Sequence, residues 1–218
     1  MVKSEIVNTY NINPRKIKVV YNGIEPPVFL SSHKIDSLCN EVIVNRDRII
    51  ILFVGNGFKR KGLDEFLQLI SRLNSNKIES IVIGDDKKIN YYKSLTSKLG
   101  ISHIVKFLGK RTDVSAFYQI SDILILPTHY DPFSNVILES MSFGNVVFTT
   151  KQNGAHEILD KEFIMETPSD QSVIKTINLL IENKELLKDI KRKNEDIALN
   201  YSIDSNASQT LSIIQNIL

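Results

Sequence analysis

The chain has 218 residues, 42% hydrophobic and 24% charged, with 27 Lys plus Arg against 25 Asp plus Glu and a net charge of +2. That length allows one large domain, or one of ordinary size with flanking pieces; the near-balanced charge argues against a nucleic-acid partner, since such domains carry a clear basic excess. A single cysteine, Cys39, excludes a disulfide framework or a cysteine zinc site and makes the cytoplasm the natural compartment, and the longest apolar run, Ile49–Val54, falls far short of the about 18 residues that a membrane span needs.

In chain order, Ser4–Tyr10 reads as the end of a helix. The stretch NINPRKIKVVYNGIEPPVF then predicts a turn, a short strand and a proline-containing crossing, and residues 31–47 a polar loop or short helix. From there, short β-branched apolar runs alternate with amphipathic stretches. Ile49–Val54, Ser80–Ile83, Val105–Leu108, Ile123–Leu126 and Val146–Thr149 have the length and composition of buried parallel strands, with a weaker candidate at Glu162–Met165. Between them, Leu63–Leu73 places Leu63, Phe66, Leu67 and Ile70 on one helical stripe, and Ile89–Leu99, Val114–Ile120 and Val136–Phe143 follow the same period. Gln171–Leu199 predicts one or two helices rich in Lys and Glu. Ser202–Leu218 predicts a last amphipathic helix capped by Ser202 or Asp204. The alternation implies an α/β, Rossmann-like, doubly wound parallel sheet with right-handed crossovers, followed by C-terminal helices.

In such a sheet, ligands bind beyond the carboxyl ends of the strands. The first strand exits into Gly55-Asn56-Gly57-Phe58-Lys59-Arg60-Lys61-Gly62, where three cations are expected just before a helix start. That favours an anion, most simply a phosphate, with a solvated basic loop as the alternative. Lys61 followed by Gly62-Leu63 breaks the phosphate-loop pattern, and Lys61 in place of a third glycine breaks the dinucleotide fingerprint. The fourth strand exits into PTHYDPFSNVILESMSFG. Its Asp131 is a loop acid and its Glu139 a helix acid among apolar neighbours, where a carboxylate can accept two hydrogen bonds from vicinal hydroxyls. Ser134, Asn135 and Val136 lie at the helix start, whose free amides attract anions. The third strand exits into Gly109-Lys110-Arg111-Thr112-Asp113, with Asp113 a candidate helix cap, and the fifth into Gly154, His156 and Glu157. No His or Cys pair has ligand spacing, so no metal site is expected.

These exits, in this order, resemble glycosyltransferase family 4, whose members have the GT-B fold of two Rossmann-like domains. The family's acidic pair with seven residues between appears as Asp131 and Glu139, its first acid being Asp here rather than Glu. Its V-G-x…K-G segment appears as Val54-Gly55 with Lys61-Gly62, and its inter-domain N-G-[IV]-[DE] as Asn22-Gly23-Ile24-Glu25. FVGNGFKRKGLD looks most like the lipopolysaccharide core α-glucosyltransferase branch. The resemblance implies the C-terminal, donor-binding half of a retaining glycosyltransferase that moves a hexose from a nucleoside-diphosphate sugar, UDP-glucose for the nearest branch, to a saccharide or lipid-linked acceptor. By that reading residues 1–22 are the remnant of an N-terminal acceptor domain, 23–201 the nucleotide-sugar domain and 202–218 a helix that crosses back, leaving Ile213, Ile214 and Ile217 bare. The implied roles are diphosphate binding for Lys61, with Arg60 and the amides at Ser134–Val136, and ribose binding for Glu139. Asp131 falls near the sugar, Gly55 and Gly57 in the first turn, and Gly109, Lys110 and Arg111 beside the base. No metal or other cofactor is implied, and any membrane contact, at its inner face, runs through the absent part. The alternatives are a non-catalytic carbohydrate- or nucleotide-binding module and an NAD-dependent oxidoreductase, whose ribose acid would be Asp85 or Asp86.

Overall fold

A computed structural model describes residues 1–42 and 44–216. The elements run in the predicted alternation: α1 (Val2–Tyr10), α2 (Ser32–Glu41), β1 (Ile49–Val54), α3 (Phe58–Lys61), α4 (Leu63–Ile70), β2 (Ile78–Ile83), α5 (Ile89–Lys98), β3 (Val105–Gly109), α6 (Val114–Ile120), β4 (Ile123–Leu126), α7 (Asn135–Ser142), β5 (Val146–Thr150), β6 (Ile164–Met165), α8 (Ile174–Glu182), α9 (Lys184–Ala198) and α10 (Ile203–Gln215). The six strands form one sheet in the order β3-β2-β1-β4-β5-β6, and every pairing is parallel. Every residue of β1 and β4 is buried, as central strands covered on both faces require. At the sheet edge, β3 is only half-buried beyond Val105. Phe53, Phe58, Phe66, Phe117 and Phe148 are fully buried in the core that the helices complete.

The chain leaves β1 towards β2 and β3, then returns to β4 on the other side of β1. The two sets of crossovers therefore diverge between β1 and β4, and the crevice beyond their carboxyl ends is the expected ligand site of this strand order.

Several local expectations change. No strand forms in residues 11–29; a 3-10 turn at Pro14–Lys16 is followed by extended backbone, which makes a β-bridge between Ile24 and Ser202. Ile24 donates its amide to the Tyr201 carbonyl at 2.9 Å, and Asn206 Nδ2 donates to the Tyr21 carbonyl at 2.6 Å. With no neighbouring strand among the described residues, the β-branched run at Ile17–Val20 has nothing to pair with. Residues 31–47 hold α2, and Gln171–Leu199 is two helices parted at Asn183, whose side chain caps α9 by accepting from Leu186 N at 3.0 Å. Ser202, not Asp204, caps α10 by accepting from Ser205 N at 3.0 Å. In the expected bare face of α10, Ile214 is exposed, Ile213 is half-buried and Ile217 lies outside the described residues.

A candidate anion and diol site at the carboxyl ends of β1 and β4

Lys59, Arg60 and Lys61 immediately precede α4, as expected, and themselves form a short helical turn. The turn Phe58–Lys61 is α3, opened by Gly57 at φ 68° and closed by Gly62 at φ 79°. Gly62 is required twice over, because a Cβ there would also sit 1.9 Å from the Pro127 carbonyl oxygen. Asp86 anchors the other end, accepting from Phe58 N at 2.9 Å and Lys88 N at 2.8 Å. The Asp86 carboxylate is thus engaged by backbone, a role unlike that of the ribose acid an NAD enzyme keeps free. Gly55 makes room for the stem of Lys61, whose Cγ would lie 3.1 Å from any Cβ there.

The β4 exit docks directly on this turn. The Arg60 carbonyl accepts from Thr128 Oγ1 at 3.0 Å and from His129 N at 2.9 Å. Lys61 turns inward and its Nζ lies 2.5 Å from Asp131 Oδ2 and 3.4 Å from Ser134 Oγ. Both Lys61 and Asp131 are only 8% exposed. Arg60 stays on the surface, with Nη1 donating to the Tyr130 carbonyl at 2.9 Å and lying 3.6 Å from Asp131 Oδ2. Two cations and one carboxylate leave a net positive charge beside the start of α7, an arrangement that suits a diphosphate.

At that helix start the expectation narrows from three amides to two. Ser134 N donates at 3.3 Å to Asn153 Oδ1, which also accepts from Ala155 N at 3.1 Å. Asn135 and Val136 retain amides without an acceptor among the described residues. The Asn135 side chain accepts from Asn22 Nδ2 at 2.8 Å, while the Val136 side chain packs on the core. One turn on, Glu139 is half-buried and its Oε2 accepts from the Tyr118 hydroxyl at 2.8 Å. Burial, then the neighbouring Glu139 charge, hold the Tyr118 phenol well above its ordinary pKa, so it remains a donor. Asn135, Glu139 and Tyr118 line a cleft of about 460 Å³ with Thr112, Ser115 and Glu25.

The β3 exit contributes less than expected. Arg111 is held by Asp113, at 2.8 and 2.7 Å, and by Glu41 of α2 at 3.0 Å. Its fork is a structural tie between α2 and α6. Asp113 in turn gives α6 no side-chain cap, because its carboxylate faces Arg111. Gly109, at φ 67°, accepts from Gly84 N at 2.9 Å, and Lys110 is exposed; neither meets Lys61, Asp131 or Glu139 in any hydrogen bond or ion pair among the described residues. His156 and Glu157 lie on a short 3-10 turn, where Glu157 accepts from the Tyr21 hydroxyl at 2.5 Å. A larger cavity, about 900 Å³, opens at the amino-terminal edge of the sheet. Of its cations, Arg48, Lys77 and Lys191 are paired with Glu79, Glu182 and Asp122, and it lies at the end of the strands where this architecture does not bind ligands.

Sequence reasoning missed Tyr118 and Asn153, and named Asn22 only as part of the inter-domain motif. Tyr118 sits on the apolar stripe of α6, and the direction of a hydroxyl is invisible in a periodicity. Asn153, fully buried before Gly154, had a signal in the Asn-Gly pair at a strand exit.

Residues 37–196, well over half of the chain, match the sequence model of the family described as Glycosyl transferases group 1. The chain belongs to that family. An uncharacterized glycosyltransferase of Methanocaldococcus jannaschii is 27% identical over 97% of this chain and 57% of its own length. The lipopolysaccharide glucosyltransferase WaaG of Escherichia coli is 29% identical over 69% of this chain and 42% of its own. The crystal structure of HepE from Anabaena in complex with UDP-glucose superposes with a TM-score of 0.86 at 20% identity, covering 98% of this chain and 61% of that one. This group 1 chain thus has the Rossmann-like architecture of GT-B glycosyltransferases, and it spans about half the length of the curated relatives it matches.

Proposed function

We propose that this chain is the donor-binding, C-terminal part of a family 4 retaining glycosyltransferase, which moves a hexose from a nucleoside-diphosphate sugar to a saccharide or lipid-linked acceptor. The observation that carries the reading is the 3.4 Å approach of Lys61 Nζ to Ser134 Oγ across the crevice, with Asp131 at 2.5 Å. It makes one anion site from the β1 exit and the start of α7. In this reading Lys61, Arg60 and the Asn135 and Val136 amides hold the diphosphate. They also stabilise the charge that grows on it as the glycosidic bond breaks, because fixed positive groups need no reorganisation at that moment. Glu139 receives the ribose diol in the adjoining cleft. Asp131 orients Lys61 and faces the sugar. The donor carrying UDP, and glucose as its sugar, is supported by the names of WaaG and HepE.

Residues 1–22 then belong with an acceptor domain, 23–201 form the donor domain and 202–218 the crossing helix. That arrangement is consistent with the partial coverage of the relatives. The protein works in the cytoplasm, with any contact at the inner face of the membrane made by other parts. Among the described residues no group of three metal-ligating side chains is clustered, and no helix is long and apolar enough to cross a membrane.

Calorimetric titration with UDP, GDP and ADP tests the reading. One of the three binds with a Kd below the millimolar range; Lys61→Ala and Glu139→Ala each weaken it by about tenfold or more, the loss expected for a charge-assisted contact. Absence of binding by all three at millimolar concentration overturns it.

A further inference from the structure

The cleft beside α7 contains a hydroxyl that the reading above leaves without a role. Tyr118 is 2% exposed, yet its phenol oxygen reaches the half-buried carboxylate of Glu139 at 2.8 Å. Besides that bond, the residue is held at its ring and at its backbone. It packs against Phe143 with centroids 5.9 Å apart. Its own carbonyl accepts from Asn145 Nδ2 at 2.9 Å, and Asn145 is itself clamped by Asn194 Nδ2, which donates to its carbonyl at 2.8 Å. A buried phenol so held gives the half-buried carboxylate a fixed donor to meet. Only Oε2 of Glu139 is engaged, and Oε1 has no partner among the described residues.

We propose that Tyr118 is a positioning residue for Glu139, holding the carboxylate in the single rotamer that presents Oε1 and one lone pair of Oε2 to a vicinal diol. The inference rests on the reading of Glu139 as the ribose acceptor and adds to it the source of its geometry. A free glutamate has several rotamers, and ordering it on binding weakens the ligand. The Tyr118 contact orders it beforehand, so the two hydroxyls of a ribose meet a carboxylate already in place. Selectivity for ribose over 2′-deoxyribose therefore depends on the buried hydroxyl that holds Glu139.

The test uses whichever of UDP, GDP and ADP binds most tightly, paired with its 2′-deoxy counterpart, and reads the ratio of their dissociation constants by calorimetry on the full chain. The parent is expected to favour the ribonucleotide about tenfold, as for a hydrogen bond to a charged acceptor. Tyr118→Phe brings that ratio to about threefold or less by weakening the ribonucleotide while leaving the deoxy compound nearly unchanged. A purely structural tyrosine, loosening the core, weakens both alike; an unchanged ratio in Tyr118→Phe overturns the inference while the ribose reading stands. A ratio near one in the parent itself overturns the ribose reading and this inference with it. Thermal melting verifies that the variant folds; if it does not, Tyr118→Met fills the space with an adaptable side chain that cannot donate, and the same ratio decides.

Discussion

Lys61 and Asp131 face each other at 2.5 Å with about a tenth of each side chain exposed, and such a pair stabilises little by itself because both charges have left water. Removing one member is another matter. Asp131→Asn leaves the ammonium of Lys61 buried beside Ser134 with no counter-charge nearer than solvent. The expected cost is about 3 kcal/mol of folding stability, measured as a shift in the urea midpoint at constant slope. A loss under about 0.5 kcal/mol, typical of exposed pairs, would show that water reaches the pair freely. The residues that make this site differ in how they could be read. Lys61, Asp131 and Glu139 are charged side chains at strand exits, and charge at such positions is visible in a string of letters. The engaged state of Ser134 N is not, because it depends on Asn153, distant in sequence by nineteen positions. Arg111 was legible as a cation, but its pairing with Glu41 was not, since nothing local shows that α2 packs against it.

Among elements, the link between α2 and the start of α6 runs through that same arginine. Its guanidinium, bonded directly to the Asp113 carboxylate, holds that acid below the usual aspartate range. A depressed carboxyl pKa means that the stabilisation is complete above the unfolded value of about 3.9 and disappears as pH falls through the folded value. Asp113→Asn should therefore lower the melting temperature near neutrality and converge with the parent as the pH is taken from about 4 towards 2. With nearly half of the Asp113 side chain exposed, the effect at neutrality is at most about 1 kcal/mol. A gap between the two proteins that stays constant over that range speaks against the ion pair as its source. Element types followed from apolar runs and stripes wherever the element is buried: β1, β2, β4 and β5, α4 and α7. The one strand expected and not formed, within residues 11–29, is apolar enough to be a strand but has no neighbour to pair with, and pairing is a property of two segments that one segment's letters do not contain. The helical turn α3 escaped for a different reason: four residues are too few to show a period.

For the whole molecule, the strand order β3-β2-β1-β4-β5-β6 does the work of bringing residue 61 to residue 131. Alternating strands and helices announce a parallel sheet, and right-handed crossovers limit its topology. The reversal between β1 and β4, which creates the crevice, is a matter of which neighbour each strand chooses. Those choices are set by the packing of whole faces, and only the resemblance of ordered motifs made them legible beforehand.

The crossing at Ile24 and Ser202 has a mechanical consequence. Two lengths of chain remote in sequence, one ahead of α2 and one between α9 and α10, run side by side, fastened by the Ile24–Tyr201 and Ile203–Ile24 backbone bonds, so they act as a two-ply strap whose plies cannot slide independently. The fastening depends on Gly23, where a Cβ would fall 2.3 Å from the Ser202 carbonyl oxygen. Gly23→Val prises the plies apart, and amide exchange at Ile24 and Ile203 should accelerate together while the amides of β1 keep their protection. Acceleration at only one of the two would mean that the plies loosen separately. If they loosen together, any torque applied through one ply reaches the other before it reaches the crevice between β1 and β4.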